Sequence, residues 1–202
     1  MFLEDFIYVG EKAFSEEFCN NLVKDFESLK KEGRGFKGLS GSGDDNSIKN
    51  SYDMNVMFEE ELQDKYQKDL IDTFNHHLTE KFLKNLPYQD KFPANALFNE
   101  PTYFEVLQIQ KYDQNKGHFN AWHVETGNAN MARRLFVFIL YLNDVEEGGE
   151  TEVLYARNKI TPRKGSLLIH PASYPFVHKG HTPISSDKYI LTSWLSFPRD
   201  ND

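Results

Sequence analysis

The apolar pattern of this chain changes period once, near Pro101, and that change restricts the folds open to it. Before the change, Phe14, Phe18, Leu22, Phe26 and Leu29 recur every three or four positions, and Leu62, Tyr66, Leu70, Phe74, Leu78 and Phe82 recur every four. Side chains at that spacing share one face of a helix. The spacing predicts helices over residues 14–31 and 59–86. Ser15 ahead of Glu16 and Glu17 is a fitting N-cap, Lys30 and Lys31 before Gly33 mark an end, and Pro87 stops the second helix.

After Pro101 the apolar residues alternate and β-formers dominate. Strands are predicted over 103–112, 119–125, 134–142, 152–154, 166–170, 174–177 and 189–197, with a turn at Glu147-Gly148-Gly149-Glu150. In the first of these, Tyr103, Glu105, Leu107, Ile109 and Lys111 share a face. The 134–142 stretch is apolar on both faces and is expected at the centre of a sheet. Helices grouped before many short strands give an α+β chain with a sandwich or jelly-roll core. One domain over 1–202 is expected, with a helical N-terminal part (1–100) supporting a strand-built core (101–202). Between the helices, residues 33–50 are rich in glycine and polar side chains. They read as a flexible loop, either a plain connection or a lid over a site.

Composition limits the function classes. The chain has 202 residues, 14% of them aromatic, which is ample for one sizeable core. A formal charge of −8 speaks against a duplex nucleic-acid binder, which needs a basic face. No apolar run is long enough to span a membrane, and the start lacks the basic region of a secretion signal. Cys19 is the only cysteine, so no intrachain disulfide forms. A cytoplasmic protein without membrane or nucleic-acid partners is the expectation.

The chemistry is carried by His123-Val124-Glu125, then His178, then Lys188. In a strand, residues i and i+2 face the same way, so His123 and Glu125 reach one ion while Val124 packs behind. His178 follows the apolar Pro175-Phe176-Val177 run and supplies a third ligand from a distant strand. Two histidines and one carboxylate form the facial triad used for non-haem iron(II), with positions left open. The other histidines (His76, His77, His118, His170, His181) carry no such pattern, and His76 and His77 are expected in solvent.

Beyond the triad, an ordered series of residues resembles the iron(II)/2-oxoglutarate-dependent dioxygenases, in their prolyl 4-hydroxylase-like branch. The series runs through Tyr112, Gly117, Trp122-His123-Val124-Glu125 and Arg134. It continues through Tyr141-Leu142-Asn143-Asp144-Val145-Glu146-Glu147-Gly148-Gly149-Glu150-Thr151, Gly165, His178-Lys179-Gly180 and Lys188 to Trp194. The resemblance implies a double-stranded β-helix (jelly roll) with the N-terminal helices packed outside. It implies His123, Glu125 and His178 as catalytic metal ligands for Fe(II). It implies Lys188 as partner of the distal carboxylate of 2-oxoglutarate, with Tyr112 as a hydrogen-bond donor to this cosubstrate, and ascorbate as an accessory reductant. Trp194 and Arg134 are implied as walls of the substrate pocket.

Two positions depart from the family pattern. The family's usual carboxylate ligand is Asp, whereas position 125 is Glu. The interval from Tyr112 to His123 is two residues longer than the common one. Related halogenases carry a small residue in place of the carboxylate, so Glu125 favours hydroxylation. The implied activity is hydroxylation of an unactivated C–H, with dioxygen and 2-oxoglutarate as partners and a prolyl residue of a protein or peptide as substrate. Two alternatives stay open: the same chemistry on a free amino acid or small metabolite, and a catalytically silent metal-binding module.

Overall fold

The computed structural model describes residues 2–40, 43, 45–87, 90–91, 100–157 and 159–198. Its strands form two antiparallel sheets, of eight and four strands, laid against each other. The larger runs β1 (Tyr8–Gly10), β10 (Leu167–Pro171), β8 (Arg134–Tyr141), β12 (Lys188–Ser196), β6 (Gln108–Tyr112), β4 (Tyr52–Asn55), β2 (Phe36–Lys37). β5 (Tyr103–Phe104) also pairs with β12. The smaller runs β3 (Lys49–Asn50), β7 (His118–His123), β11 (His178–Gly180), β9 (Thr151–Val153). The helices are α1 (Glu16–Lys31) and α2 (Glu60–His76).

The ends of α1 follow the sequence signals. The Ser15 side chain accepts the Phe18 amide at 3.1 Å, and Glu16 and Glu17 occupy the positive end of the helix dipole. At the other end Gly33 takes φ +81°, and the Arg34 amide reaches back to the Leu29 carbonyl at 3.1 Å. The second helix continues past α2 in a different winding, as a π-helical segment over His77–Phe82 and a 3-10 turn over Leu83–Asn85. Its apolar residues explain the change. At ~100° per residue a four-residue step overshoots a full turn by about 40°, so six such residues would spiral off an α-helical face. The wider π turn corrects the drift, and Leu78 and Phe82 remain buried with Leu62, Tyr66, Leu70 and Phe74.

Period-two alternation sorts each long strand between two cores. Phe136, Phe138 and Leu140 of β8, Leu107 and Ile109 beside and within β6, and Leu191 and Leu195 of β12 pack with Cys19, Leu22, Phe26, Leu62, Leu70 and Phe74 of the helices. Val137, Ile139 and Tyr141 of β8, Ile190 and Trp194 of β12, Tyr112 and Leu168 form a second cluster on the opposite face, towards the small sheet. This division accounts for a β8 that is apolar on both sides. Lys111 belongs to the helix face, where it pairs with Glu27 of α1 at 3.1 Å and Asp187 at 3.1 Å.

Several sequence expectations are corrected. The 103–112 strand is two strands with a break at 105–107. Residues 174–177 form a turn with a cis Tyr174–Pro175 bond instead of a strand. The 33–50 segment is not wholly irregular: Phe36 and Lys37 pair with β4, and Lys49 and Asn50 pair with β7. Of that segment, Gly41, Ser42 and Asp44 lie outside the described residues. β1 and β4 join the large sheet without having been expected. His77 is not free in solvent, since the Tyr8 hydroxyl lies 2.7 Å from its Nδ1.

Candidate metal centre

β7 and β11 are neighbours in the small sheet, and their register sets His123 directly opposite His178. Each ring is held through Nδ1 by a carbonyl of its own strand approach, Ala121 at 2.8 Å for His123 and Phe176 at 3.0 Å for His178. With Nδ1 carrying the proton in that bond, Nε2 is left as a free donor to an ion. The Phe119 ring stacks on His123 at 3.9 Å between centroids and restricts its orientation further.

Glu125 joins them by a route the strand argument missed. β7 ends at His123, and Glu125 lies in the turn beyond it, fixed by its amide bonding the Ala172 carbonyl at 3.0 Å. From there Oε1 stands 3.5 Å from Nε2 of His123 and 3.5 Å from Nε2 of His178. The three donor atoms all lie within 4.8 Å of one another, and among the described residues no other His/Cys/Asp/Glu group of this size converges in this way. Burial works against a charge on Glu125, but the two imidazoles override it and hold the carboxyl well below its usual range. An ionised oxygen facing two imidazole nitrogens suits a divalent ion that takes mixed nitrogen and oxygen ligands.

Both histidines and Glu125 line a cavity of about 840 Å³ between the sheets, together with Tyr112, Arg134, Lys188 and Trp194. The register of β12 against β6 places Lys188 opposite Tyr112, so both point inward side by side. Lys188 is 3% exposed, and its Nζ donates to the Gly149 carbonyl at 2.6 Å. Burial pulls its pKa down to about 8, against a smaller upward pull from Glu150. Nζ lies 5.5 Å from the Tyr112 ring centre and 5.8 Å from that of Tyr141. The Tyr112 hydroxyl donates to Gln110 Oε1 at 2.7 Å, and burial together with the Asp53 charge pushes its pKa well up.

Arg134 and Trp194 face the cavity but are committed to each other, the guanidinium carbon lying 4.0 Å over the indole. Arg134 also donates to Glu105 and to Glu125, so each of its three nitrogens already has a carboxylate partner. Sequence reasoning missed a polar wall beside Tyr112. There Gln110 donates to Thr192 at 3.1 Å, while Lys49 and Ser51 each reach the fully buried Asp53 at 2.7 Å. Period two from Tyr112 would have pointed to Gln108 and Gln110, whereas Lys49 and Asp53 come from two unpredicted strands, β3 of the small sheet and β4 of the large one. His170 lies behind His178, with ring centres 4.8 Å apart. His118 bonds the Lys116 carbonyl and His181 bonds Glu152, so neither joins the triad.

Comparison with known proteins agrees with this geometry. Residues 107–196 match the family model of the 2OG-Fe(II) oxygenase superfamily. A curated relative, probable prolyl 4-hydroxylase 9 of Arabidopsis thaliana, is 29% identical over 125 residues, 49% of this chain and 41% of the relative. The chain thus spans about two fifths of that relative's length (41%). A prolyl hydroxylase of Trichoplax adhaerens, solved with a hypoxia inducible factor oxygen degradation domain peptide fragment, superposes with TM-score 0.73 at 14% identity. That match covers 95% of this chain and 84% of the other. The viral collagen prolyl hydroxylase of Paramecium Bursaria Chlorella virus-1, solved with 2OG, gives TM-score 0.61 at 20% identity over 94% of this chain and 95% of the other. These likenesses establish a shared fold.

Proposed function

We propose that this chain, whose residues 107–196 match the 2OG-Fe(II) oxygenase model, belongs to the prolyl 4-hydroxylase-like branch of that superfamily and is an iron(II)- and 2-oxoglutarate-dependent dioxygenase that hydroxylates a prolyl residue in a protein or peptide. The two sheets are then the halves of a double-stranded β-helix, with the helices backing the larger one. One observation carries the reading: a converging His123–Glu125–His178 cluster shares a single cavity with a buried lysine that, among the described residues, bonds a main-chain carbonyl and no carboxylate.

In this reading His123, Glu125 and His178 would hold the iron, through the donor atoms that converge between them. Iron bound there would, with 2-oxoglutarate and dioxygen, supply C–H oxidation, with succinate and carbon dioxide as the other products. Lys188 binds the distal carboxylate of the cosubstrate, and its burial removes competing water, which strengthens a charge-assisted hydrogen bond. Tyr112, beside it in register, turns its hydroxyl from Gln110 to the same carboxylate. Val137, Ile139 and Ile190 give that end of the cavity apolar walls. Arg134 and Trp194 border the substrate's approach. A peptide rather than a free amino acid is favoured by the peptide held in the Trichoplax relative.

The test is anaerobic titration of iron(II) and 2-oxoglutarate into the apoprotein, following the visible charge-transfer band of the chelate. Succinate release is then measured, with ascorbate present, on proline-containing peptides and on free amino acids. A band that needs both components, followed by peptide-stimulated succinate release, is expected. Stimulation by a free amino acid alone would move the substrate to a small metabolite. Iron uptake without any band would leave a silent metal-binding module.

A further inference from the structure

Glu125 carries one more rotatable bond than an aspartate, so a ligand atom at its end needs something to hold it still. That hold is visible. Oε1 faces the two imidazoles, while Oε2 accepts Nη1 of Arg134 at 3.2 Å, and the same nitrogen lies 3.5 Å from the Glu125 main-chain carbonyl. The rest of the guanidinium is pinned from behind. Nε reaches the two Glu105 oxygens at 3.2 and 3.0 Å, and Nη2 reaches Glu105 Oε2 at 2.7 Å. Glu105 is itself fixed, by Ser196 Oγ at 2.6 Å and by its amide bonding the Trp194 carbonyl at 2.9 Å. The indole of Trp194 covers one guanidinium face.

We propose that Arg134, braced by Glu105 and Trp194, is a positioning residue for the metal ligand Glu125, and that the length of a glutamate is matched to this clamp. The proposal rests on the reading of His123, Glu125 and His178 as the ligands. A planar fork with donors on two sides serves two carboxylates at once, which a lysine does not. With Oε2 occupied, Glu125 offers one oxygen to the ion and is kept from swinging round to chelate through both. An aspartate, shorter by roughly one C–C bond of ~1.5 Å, reaches the imidazoles or Arg134 but not both. The break between β5 and β6 has a reason in this scheme, since it delivers Glu105 to the back of Arg134.

Cobalt(II) titration of the apoprotein, without 2-oxoglutarate, tests the clamp through affinity and through the visible ligand-field bands, which report coordination geometry. Arg134→Gln is expected to weaken cobalt binding by about 10- to 100-fold, as for other residues that orient a ligand, and to alter the bands. Glu105→Gln should act in the same direction more weakly, and Glu125→Asp should also weaken binding. A folded Arg134→Gln protein with unchanged affinity and unchanged bands overturns the proposal. If that variant does not fold, Glu125→Asp decides: cobalt binding as tight as in the parent overturns it. A parent protein that shows this dependence yet forms no 2-oxoglutarate chelate supports the clamp and overturns the hydroxylase reading alone.

Discussion

Replacing Lys188 with Met should make the empty protein more stable at neutral pH and the cosubstrate complex weaker. Burial lowers the Lys188 pKa from its ordinary 10.5 to about 8. At ~1.4 kcal/mol per unit, keeping this ammonium charged in the fold costs about 3 kcal/mol. The sign follows from proton counts. Between pH 8 and 10.5 the unfolded chain binds more protons at this site than the native one, so stability rises with pH across that window. Below about 8 the full cost is present. Methionine removes the cost but also removes the bond to the Gly149 carbonyl, worth ~1 kcal/mol. The net gain near neutral pH is thus about 2 kcal/mol, turning into a loss of about 1 kcal/mol above the unfolded pKa. Urea denaturation of the metal-free protein at both ends of this range reads the reversal directly. The cosubstrate changes oppositely: losing a charge-assisted bond worth ~1.5–3 kcal/mol weakens 2-oxoglutarate about 10- to 150-fold in the chelate titration. In the parent protein the same titration should weaken about tenfold per pH unit above a pH of about 8, as Lys188 loses its proton. A Lys188→Met protein that is less stable than the parent at neutral pH, by as much as at high pH, would refute the reasoning.

Further outcomes follow from other contacts. Lys49→Met strands the fully buried Asp53 and should cost about 3–5 kcal/mol in urea denaturation, while the Lys49→Met/Asp53→Asn double variant should recover most of that loss. Tyr112→Phe, which keeps the ring against Lys188 but drops the hydroxyl, should raise the 2-oxoglutarate dissociation constant by about 2- to 12-fold, with metal binding unchanged. Ser15→Ala removes the N-cap of α1 and should lower stability by ~1 kcal/mol, read as a fall in melting temperature with cobalt affinity untouched.

The elements that could be read from the chain were those whose signal is local. The Ser15 cap, the Gly33 stop and the alternation of β6, β8 and β12 each depend on residues a few positions apart, and the structure keeps them. Elements that exist only through a distant partner left no such mark. β1 is three residues long and gains its hydrogen bonds from β10, more than 150 positions away. Tyr52-Asp53-Met54-Asn55 is a poor strand by composition and becomes one because β6 offers an open edge. The π turn could be sensed in the strict four-residue spacing but was realised by packing against the sheet.

The site divides in the same way. Residue types and order alone determined that two histidines and a carboxylate were present at spacings suited to a metal, and the family resemblance assigned a diacid to the lysine beyond them, because chemistry is a property of side chains. Their geometry came from tertiary structure. His123 faces His178, and Tyr112 faces Lys188, because strand register, set by whole-sheet burial, aligns them. Glu125 reaches the centre from a turn held by the Ala172 carbonyl, not from the strand that its spacing suggested. Arg134 lines the cavity as its place in the sequence suggested, and its bonds to Glu125 and to Glu105, remote in sequence, became visible only in the tertiary structure. Hydrogen bonds and ion pairs act only at contact distance, and for residues this far apart in the chain contact distance is decided by the packing of the sheets.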